Sequence, residues 1–360
     1  MNILPVILAG GIGERFWPLS RSLRPKQLLP LVGTKSLIEE TLGRLGPLGK
    51  SAHRPLIVTG KRLAPRIRAV LGTKHRCDYL TECVGKNTAP AVALAAAWAR
   101  KHYGPTIMLI LSADHAITPR KEFVHSVKHA AHLAERDLAL VVFGILPSRP
   151  DTGYGYIEIA AGLEEREGQS SHQVKRFVEK PCWDKAVEYS QSGHHFWNSG
   201  IFVWSTDTIL EQFHRHAPSL LRLVHCAADS SFTPSAIDAY YRAAKADSID
   251  YAILEKAHNV VMIAGRFLWD DVGSWESVAR IHPGNALHTT TTGKRVYEAG
   301  CRNSIIVNDS SRTVAAIGLD NIVLVTTDDV TLALPRSELP HIKAHLAAMK
   351  GRPDIPSSLF

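Results

Sequence analysis

Leu8-Ala-Gly-Gly-Ile-Gly-Glu-Arg-Phe-Trp-Pro-Leu-Ser-Arg-Ser-Leu-Arg-Pro-Lys-Gln-Leu-Leu-Pro30 decides how the rest of the chain is read. It follows an apolar run, Ile3 to Leu8, which reads as a short buried strand. Gly10, Gly11 and Gly13 then remove side chains, so backbone N–H groups can close on an anion. Arg15, Arg21, Arg24 and Lys26 place four cations soon after those glycines. A loop this long in a folded domain is functional or disordered, and Trp17, Pro18, Pro25 and Pro30 stiffen this one. The stretch reads as a polyphosphate cradle. It is not a dinucleotide fingerprint, because Phe16 stands where the third glycine is needed, and the Gly-Lys-Ser/Thr ending of a Walker loop is absent.

Working outward, helical and strand patterns alternate. Ser36 to Leu48 has apolar residues at helical spacing, Pro55 to Thr59 reads as a strand and Lys61 to Leu71 as a helix. Asp78 to Glu82 leads into Cys83-Val-Gly-Lys-Asn-Thr-Ala-Pro90, then an Ala-rich helix to Tyr103 that Thr88 is placed to cap. Thr106 to Leu111 is an apolar strand ending at Ser112-Ala-Asp-His115; a helix (Lys121 to Glu135) and a strand (Leu138 to Ile145) follow. This alternation predicts a Rossmann-like α/β domain, its central sheet mainly parallel and helices on both faces. Ligands of such sheets sit beyond the strand C-termini, where Gly10, Glu82 and Asp114 all fall.

From Asp151 the pattern turns to Gly-Tyr-Gly-Tyr-Ile-Glu-Ile, Val174 to Lys180 and Trp197-Asn-Ser-Gly-Ile-Phe-Val-Trp204, strands that would carry an acceptor half. A Gly/Thr/Asn-rich piece at Gly284 to Gly293 marks a boundary, giving expected domains at 1–284 and 285–360. Beyond it short strands recur, at Ser304 to Asn308, Thr313 to Ile317, Ile322 to Thr326 and Thr331 to Leu334. They fit either a small sheet or turns of a β-helix.

Composition narrows the partners. With 45% hydrophobic and 21% charged residues over 360 positions, this is an ordinary globular chain. A net charge of +8 favours anionic partners, yet no dense basic run exists; the richest pieces, Arg21 to Lys26 and Lys61 to Arg68, are broken by prolines and apolar residues. Nucleic acid is therefore not the expected partner. Five scattered cysteines without a Cys-x-x-Cys pair fit free thiols in a reducing compartment, and no apolar stretch is long enough to span a membrane. The cytoplasm is the expected location.

The pattern Gly-Gly-x-Gly-x-Arg…Pro-Leu-Ser…Pro-Lys-Gln closely resembles the signature of sugar-nucleotide pyrophosphorylases, and its Phe-Trp-Pro-Leu-Ser-Arg version resembles their mannose-1-phosphate guanylyltransferase branch. The resemblance runs to about Glu338. It implies that Leu8, Ala9, Gly10, Gly11, Gly13, Arg15 and Lys26 hold a nucleotide, and that Glu82, Asn87, Thr88 and Pro90 surround its base. Guanine offers two donors, N1–H and the 2-amino group, that one carboxylate can accept, so Glu82 would favour GTP.

Asp114 and Asp271 are the candidate metal ligands. Taken singly, each fits a helix cap or a solvated loop acid; Ser-Ala-Asp-His and Trp-Asp-Asp-Val-Gly-Ser-Trp nevertheless resemble the family's two Mg²⁺-binding segments, with Asp270 the lesser candidate. Hard carboxylate oxygens suit Mg²⁺. Phe177-Val-Glu-Lys-Pro181 alone would read as a charge pair at a strand edge. By resemblance, Glu179 receives sugar hydroxyls, Lys180 the sugar phosphate and Asn198 the sugar ring, with Tyr154 and Gly155 beside it.

The implied reaction makes GDP-mannose and pyrophosphate from GTP and mannose 1-phosphate by direct displacement, with Arg15, Lys26 and Lys180 neutralising charge. The same chemistry on a manno-heptose 1-phosphate, or a silent subunit that only binds sugar nucleotide, are the alternatives. By the same resemblance the C-terminal strands form a small left-handed β-helix with a closing helix, through which a homodimer would form. Some longer relatives carry a second, isomerase domain; this sequence is not expected to interconvert fructose and mannose 6-phosphates.

Overall fold

The computed structural model describes residues 2–11, 13–160, 164–166 and 169–360, so Ile12 of the glycine loop lies outside the described residues. Its contacts group the chain into two compact units, neither of them continuous. The first holds Met1–Gly10, Leu42–Ala113 and Ile117–Trp269; the second holds Gly11–Thr41, Asp114–Ala116 and Asp270–Phe360. The glycine loop thus groups with the C-terminal strands, and the expected cut at residue 284 falls inside the second unit.

The strands in chain order begin with β1 (Ile3–Ala9), β2 (Leu56–Gly60), β3 (Asp78–Glu82), β4 (Ile107–Ser112), β5 (Ala116–Thr118) and β6 (Leu140–Ile145). There follow β7 (Tyr156–Ile159), β8 (Glu164–Arg166), β9 (Gln169–Val178), β10 (His195–Ser205), β11 (Val260–Ala264) and β12 (Leu268–Asp270). The helices of this part are α1 (Leu37–Leu45), α2 (Ala64–Leu71), α3 (Thr88–Tyr103), α4 (Arg120–Arg136), α5 (Trp183–Gln191), α6 (Thr206–His216), α7 (Pro218–Asp229) and α8 (Pro234–Ala243).

The first unit is built on one sheet in the order β3-β2-β1-β4-β10-β6-β11-β9-β7. The run from β3 to β4 is parallel, as the alternation predicts; β10 then runs antiparallel to both neighbours, and β6 pairs parallel with β11. In β1, Ile3, Leu4, Val6 and Ile7 are all buried, so side chains pointing to opposite faces both meet protein. Such strands read as continuous apolar runs rather than alternating ones. On one face, Leu4, Val6, Val58, Met108 and Trp204 pack with Val92 and the small residues Ala93 and Ala96 of α3, and with Phe213, Val224 and Tyr241. The parallel strands carry Ala9, Glu82 and Ser112 to one edge.

The second unit shows why the loop does not stand alone. Its strands are β13 (Thr290–Gly293), β14 (Val296–Ala299), β15 (Ile305–Asp309), β16 (Val314–Ile317), β17 (Ile322–Thr327) and β18 (Thr331–Pro335), with helices α9 (Trp275–Ile281) and α10 (Ile342–Lys350). β13, β15 and β17 stack in parallel, as do β14 and β16, and β18 closes antiparallel on β17. These are stacked turns of a small β-helix. Ile306 points inward with Cys301 and Ala316, while Ile305, Val307, Val323 and Val325 point outward onto Phe16, Trp17, Leu19 and Leu29 of the glycine loop. No helix among the described residues is long and apolar enough to cross a membrane.

Candidate active site

Within the second unit, Gly13 has φ +74, and a Cβ there would lie 2.4 Å from the Cβ of Lys26. Glycine therefore permits Lys26 to run beneath the loop. The Ser20 hydroxyl donates to the Gly13 carbonyl at 2.5 Å and the Gln27 amide donates to Gly11 at 3.1 Å, tying the loop to itself. Lys26 is only 7% exposed. Its ammonium lies 3.0 Å from an Asp114 carboxylate oxygen and donates to the Asp271 carbonyl oxygen at 2.7 Å. Three residues far apart in sequence meet at one nitrogen.

Asp270 has other work: it accepts from the Val272 amide at 2.8 Å and pairs with Arg280 at 2.7 Å, a turn-forming role. Two of the four loop cations are also engaged elsewhere. Arg21 grips both oxygens of Asp329, and Arg24 pairs with Asp309 at 2.6 Å, so they anchor the loop to the β-helix rather than line a cradle. Arg15 is exposed and makes no ion pair among the described residues. Trp17 is the other anchor, its indole donating to Leu359 at 2.8 Å while Trp275 donates to the Trp17 carbonyl at 3.3 Å.

In the first unit, Glu82 ends β3 half-buried beside Tyr241. Burial pushes its carboxyl up to about 7, against a smaller opposing effect of the tyrosine hydroxyl, which lies near it without a well-formed hydrogen bond. Asn87, not Thr88, caps α3: its side chain accepts from the Thr88 amide at 2.8 Å. Thr88 instead accepts from the Ile249 amide at 2.9 Å, and the Pro90 carbonyl accepts from Tyr240 at 2.8 Å. Both fix the segment after Glu82 in place.

A second group in this unit gathers Tyr154, Gly155, Glu179, Lys180 and Asn198. A Cβ at Gly155 would fall 2.5 Å from a Glu179 oxygen, so glycine lets that carboxylate lie close against the backbone. The Gly155 carbonyl accepts from the Asn198 amide at 2.8 Å. Lys180 turns back at φ +44 and its ammonium pairs with Glu179, which answers how adjacent strand residues reach one place. The Asn198 side-chain amide donates to Asp250 at 2.8 Å. Tyr154 meets Trp197 and Trp269 edge-on at 5.1 and 5.3 Å, and the Arg149 guanidinium lies 4.9 Å from the Trp197 ring.

The profile of the nucleotidyl transferase family matches residues 4–286. The chain belongs to the nucleotidyl transferase family. It is 35% identical over 97% of its length to a mannose-1-phosphate guanylyltransferase of Escherichia coli, of which it covers 74%. It is 38% identical, again over 97%, to the xanthan biosynthesis protein XanB of Xanthomonas campestris pv. campestris, of which it covers 73%. Among solved structures, one described as mannose-1-phosphate geranyltransferase from Thermus thermophilus superposes with a TM-score of 0.85. That structure is 32% identical, and the match covers 98% of this chain and all of that one.

In this nucleotidyl transferase, Arg149, Trp269 and Asp250 pack against the group of Tyr154, Glu179 and Asn198, and the sequence reading does not reach them. Burial raises the Asp250 carboxyl, the Asn198 hydrogen bond lowers it and the Glu179 charge raises it again. Asp250 opens a π-helical turn, Asp250–Leu254, a form that recurs at functional sites. The only signal is an acidic residue inside the apolar run Ser248-Ile-Asp-Tyr-Ala-Ile-Leu254. Among the described residues no three His, Cys, Asp or Glu side chains are placed to hold a metal by themselves.

Proposed function

We propose that this chain transfers GMP from GTP to α-D-mannose 1-phosphate, giving GDP-mannose and pyrophosphate. The observation that carries the reading is the meeting of Lys26 with Asp114 and Asp271 behind a glycine loop. The descriptions of relatives aligned over nearly the whole chain supply the substrate pair.

Asp114 and Asp271 suit Mg²⁺, which takes one or two protein carboxylates and completes its shell with phosphate oxygens and water. An ammonium already sits between the Asp114 carboxylate and the Asp271 carbonyl, so this is a place that accepts positive charge. When bound there, Mg²⁺ would offset charge on the triphosphate. The amides of Gly10, Gly11 and Gly13 receive phosphate oxygens, and Lys26 and Arg15 neutralise the leaving pyrophosphate. Glu82 accepts from guanine, while Asn87, Thr88 and Pro90 hold the segment that frames the base. Glu179 and Asn198 accept and donate to sugar hydroxyls, Gly155 leaves room for them, and Lys180 orients the sugar phosphate. A phosphate oxygen of mannose 1-phosphate attacks the α-phosphorus, and the bond to the β-phosphate oxygen breaks. No side chain becomes covalently attached.

Pyrophosphate release from GTP, measured across a panel of sugar 1-phosphates that includes mannose, manno-heptose and glucose, tests this. Mannose 1-phosphate should give the highest kcat/KM. A better manno-heptose substrate would move the acceptor, and no release with any sugar would leave only binding.

A further inference from the structure

The basic stretch Lys61 to Arg68 has no part in the chemistry above, yet the structure gives one of its members a setting. A cavity of about 590 Å³ opens among Arg54, Arg68, His75, Arg76, Cys77, Asp78 and Tyr79 in the first unit. Arg68 comes from the last turn of α2, Arg76 from the loop that leads into β3, and Arg54 from the approach to β2. Three arginines thus line a cavity that holds one carboxylate, Asp78. That carboxylate is taken: Asp78 pairs with Arg54 at 3.3 Å. Arg68 and Arg76 have no carboxylate within ion-pair distance among the described residues. The Arg68 guanidinium lies over the Tyr79 ring, 4.3 Å from its centroid, and this stacking restrains its plane without using its N–H donors.

We propose that this cavity binds a small anion with two linked phosphoryl groups. Two uncompensated guanidiniums from separate elements match two phosphoryl groups, each able to take paired N–H donors. The volume exceeds what a single phosphate would fill. The site is distinct from the one that handles the base, because β3 separates them. Asp78 is its first residue and Glu82 its last, about 13 Å apart at strand rise.

The test is calorimetric titration of the whole chain with inorganic pyrophosphate and, separately, with GDP, in Mg²⁺-free buffer. Wild type is compared with Arg68→Gln/Arg76→Gln, whose replaced side chains are exposed and outside the catalytic groups. The double variant should lose one equivalent of bound anion, or bind it at least tenfold more weakly, with GTP turnover at low ligand unchanged. A loss seen with both ligands means that linked phosphoryl groups suffice, and a loss with GDP alone assigns the site to a nucleoside diphosphate. Identical titrations of the two proteins with both ligands would overturn the proposal. So would a wild-type affinity for sulfate equal to that for pyrophosphate, or a substitution effect confined to an RNA oligonucleotide.

Discussion

Replacing Glu82 by glutamine should remove a pH dependence that the wild-type chain carries between about 4.5 and 7. Burial raises this carboxyl from 4.5 to about 7. The folded chain therefore keeps a proton in a window where the unfolded chain has already lost it. With respect to this group, stability is highest below the unfolded value and falls as pH rises through the folded one. At about 1.4 kcal/mol per pH unit the full effect would be about 3 kcal/mol. Partial solvent screening of a half-buried group reduces that to roughly 1–3 kcal/mol. Urea unfolding at pH 5 and pH 8 should show the wild type losing this much relative to Glu82→Gln.

The same titration bears on base recognition. Ionised Glu82 only accepts, which suits the N1–H and 2-amino donors of guanine; protonated Glu82 brings an O–H against them. GTP should be favoured over ITP, which lacks the 2-amino group, more strongly at pH 8 than at pH 6. A buried polar mismatch costs about 1–3 kcal/mol, or roughly 5- to 150-fold in the GTP/ITP ratio of kcat/KM. Glu82→Gln should show a low ratio at both pH values. A wild-type ratio that is high and flat from pH 6 to 8 and survives the substitution would refute the assignment of Glu82 to the base.

Four further outcomes follow from the two groups of residues. Asp114→Asn and Asp271→Asn should each lower kcat by about a hundredfold or more with an unchanged melting temperature, and full activity of either at ordinary Mg²⁺ would remove it from the metal site. Lys26→Ala should raise KM for GTP more than for mannose 1-phosphate and Lys180→Ala the reverse; initial-rate kinetics with each substrate varied would expose a swapped assignment. Asp250→Ala leaves the Asn198 amide without its acceptor and should raise KM for the sugar phosphate by about 5- to 30-fold, or roughly 1–2 kcal/mol, with KM for GTP little changed; equal effects on both substrates would make Asp250 a purely structural acid. Trp17→Ala removes a buried indole and its hydrogen bond to Leu359, so a melting curve should show a loss of about 3–5 kcal/mol, and a loss below about 1 kcal/mol would mean the anchor is dispensable.

The fold is legible where the signal is local. Apolar runs such as Thr106 to Leu111 and helical spacing such as Lys121 to Glu135 are short-range patterns, and α4 extends that pattern by one residue at each end. β10 reads as a strand, but nothing in Trp197 to Trp204 says that it inserts antiparallel between β4 and β6. Strand direction is fixed by partners as remote in sequence as Ile107 is from Ser205. α7 escapes the pattern for a related reason: only Ala217 separates Pro218 from α6, and a proline there marks a helix start as readily as a stop. At α3 the Thr-x-Pro look of Thr88 to Pro90 hides the true cap, Asn87, although Asn is as good a cap and its φ of +66 suits few other residues.

The candidate site divides in the same way. Composition counts Arg21 and Arg24 among the cations of the glycine loop, but charge in a sequence does not say which carboxylate will claim it. Asp329 and Asp309 lie 308 and 285 positions from their arginines and belong to turns of the β-helix whose ion-pairing role no local pattern announces. The structural consequence is more than two lost ligands. With Arg21 and Arg24 on those aspartates, and Phe16, Trp17, Leu19 and Leu29 on Ile305, Val307, Val323 and Val325, the loop draws both its polar and its apolar support from the C-terminal strands. Lys26 hangs on that support, since its approach beneath Gly13 exists only while the loop keeps its path. The β-helix is therefore not an appendage to the chemistry: its outer face is the floor on which the ammonium that meets Asp114 and Asp271 is held.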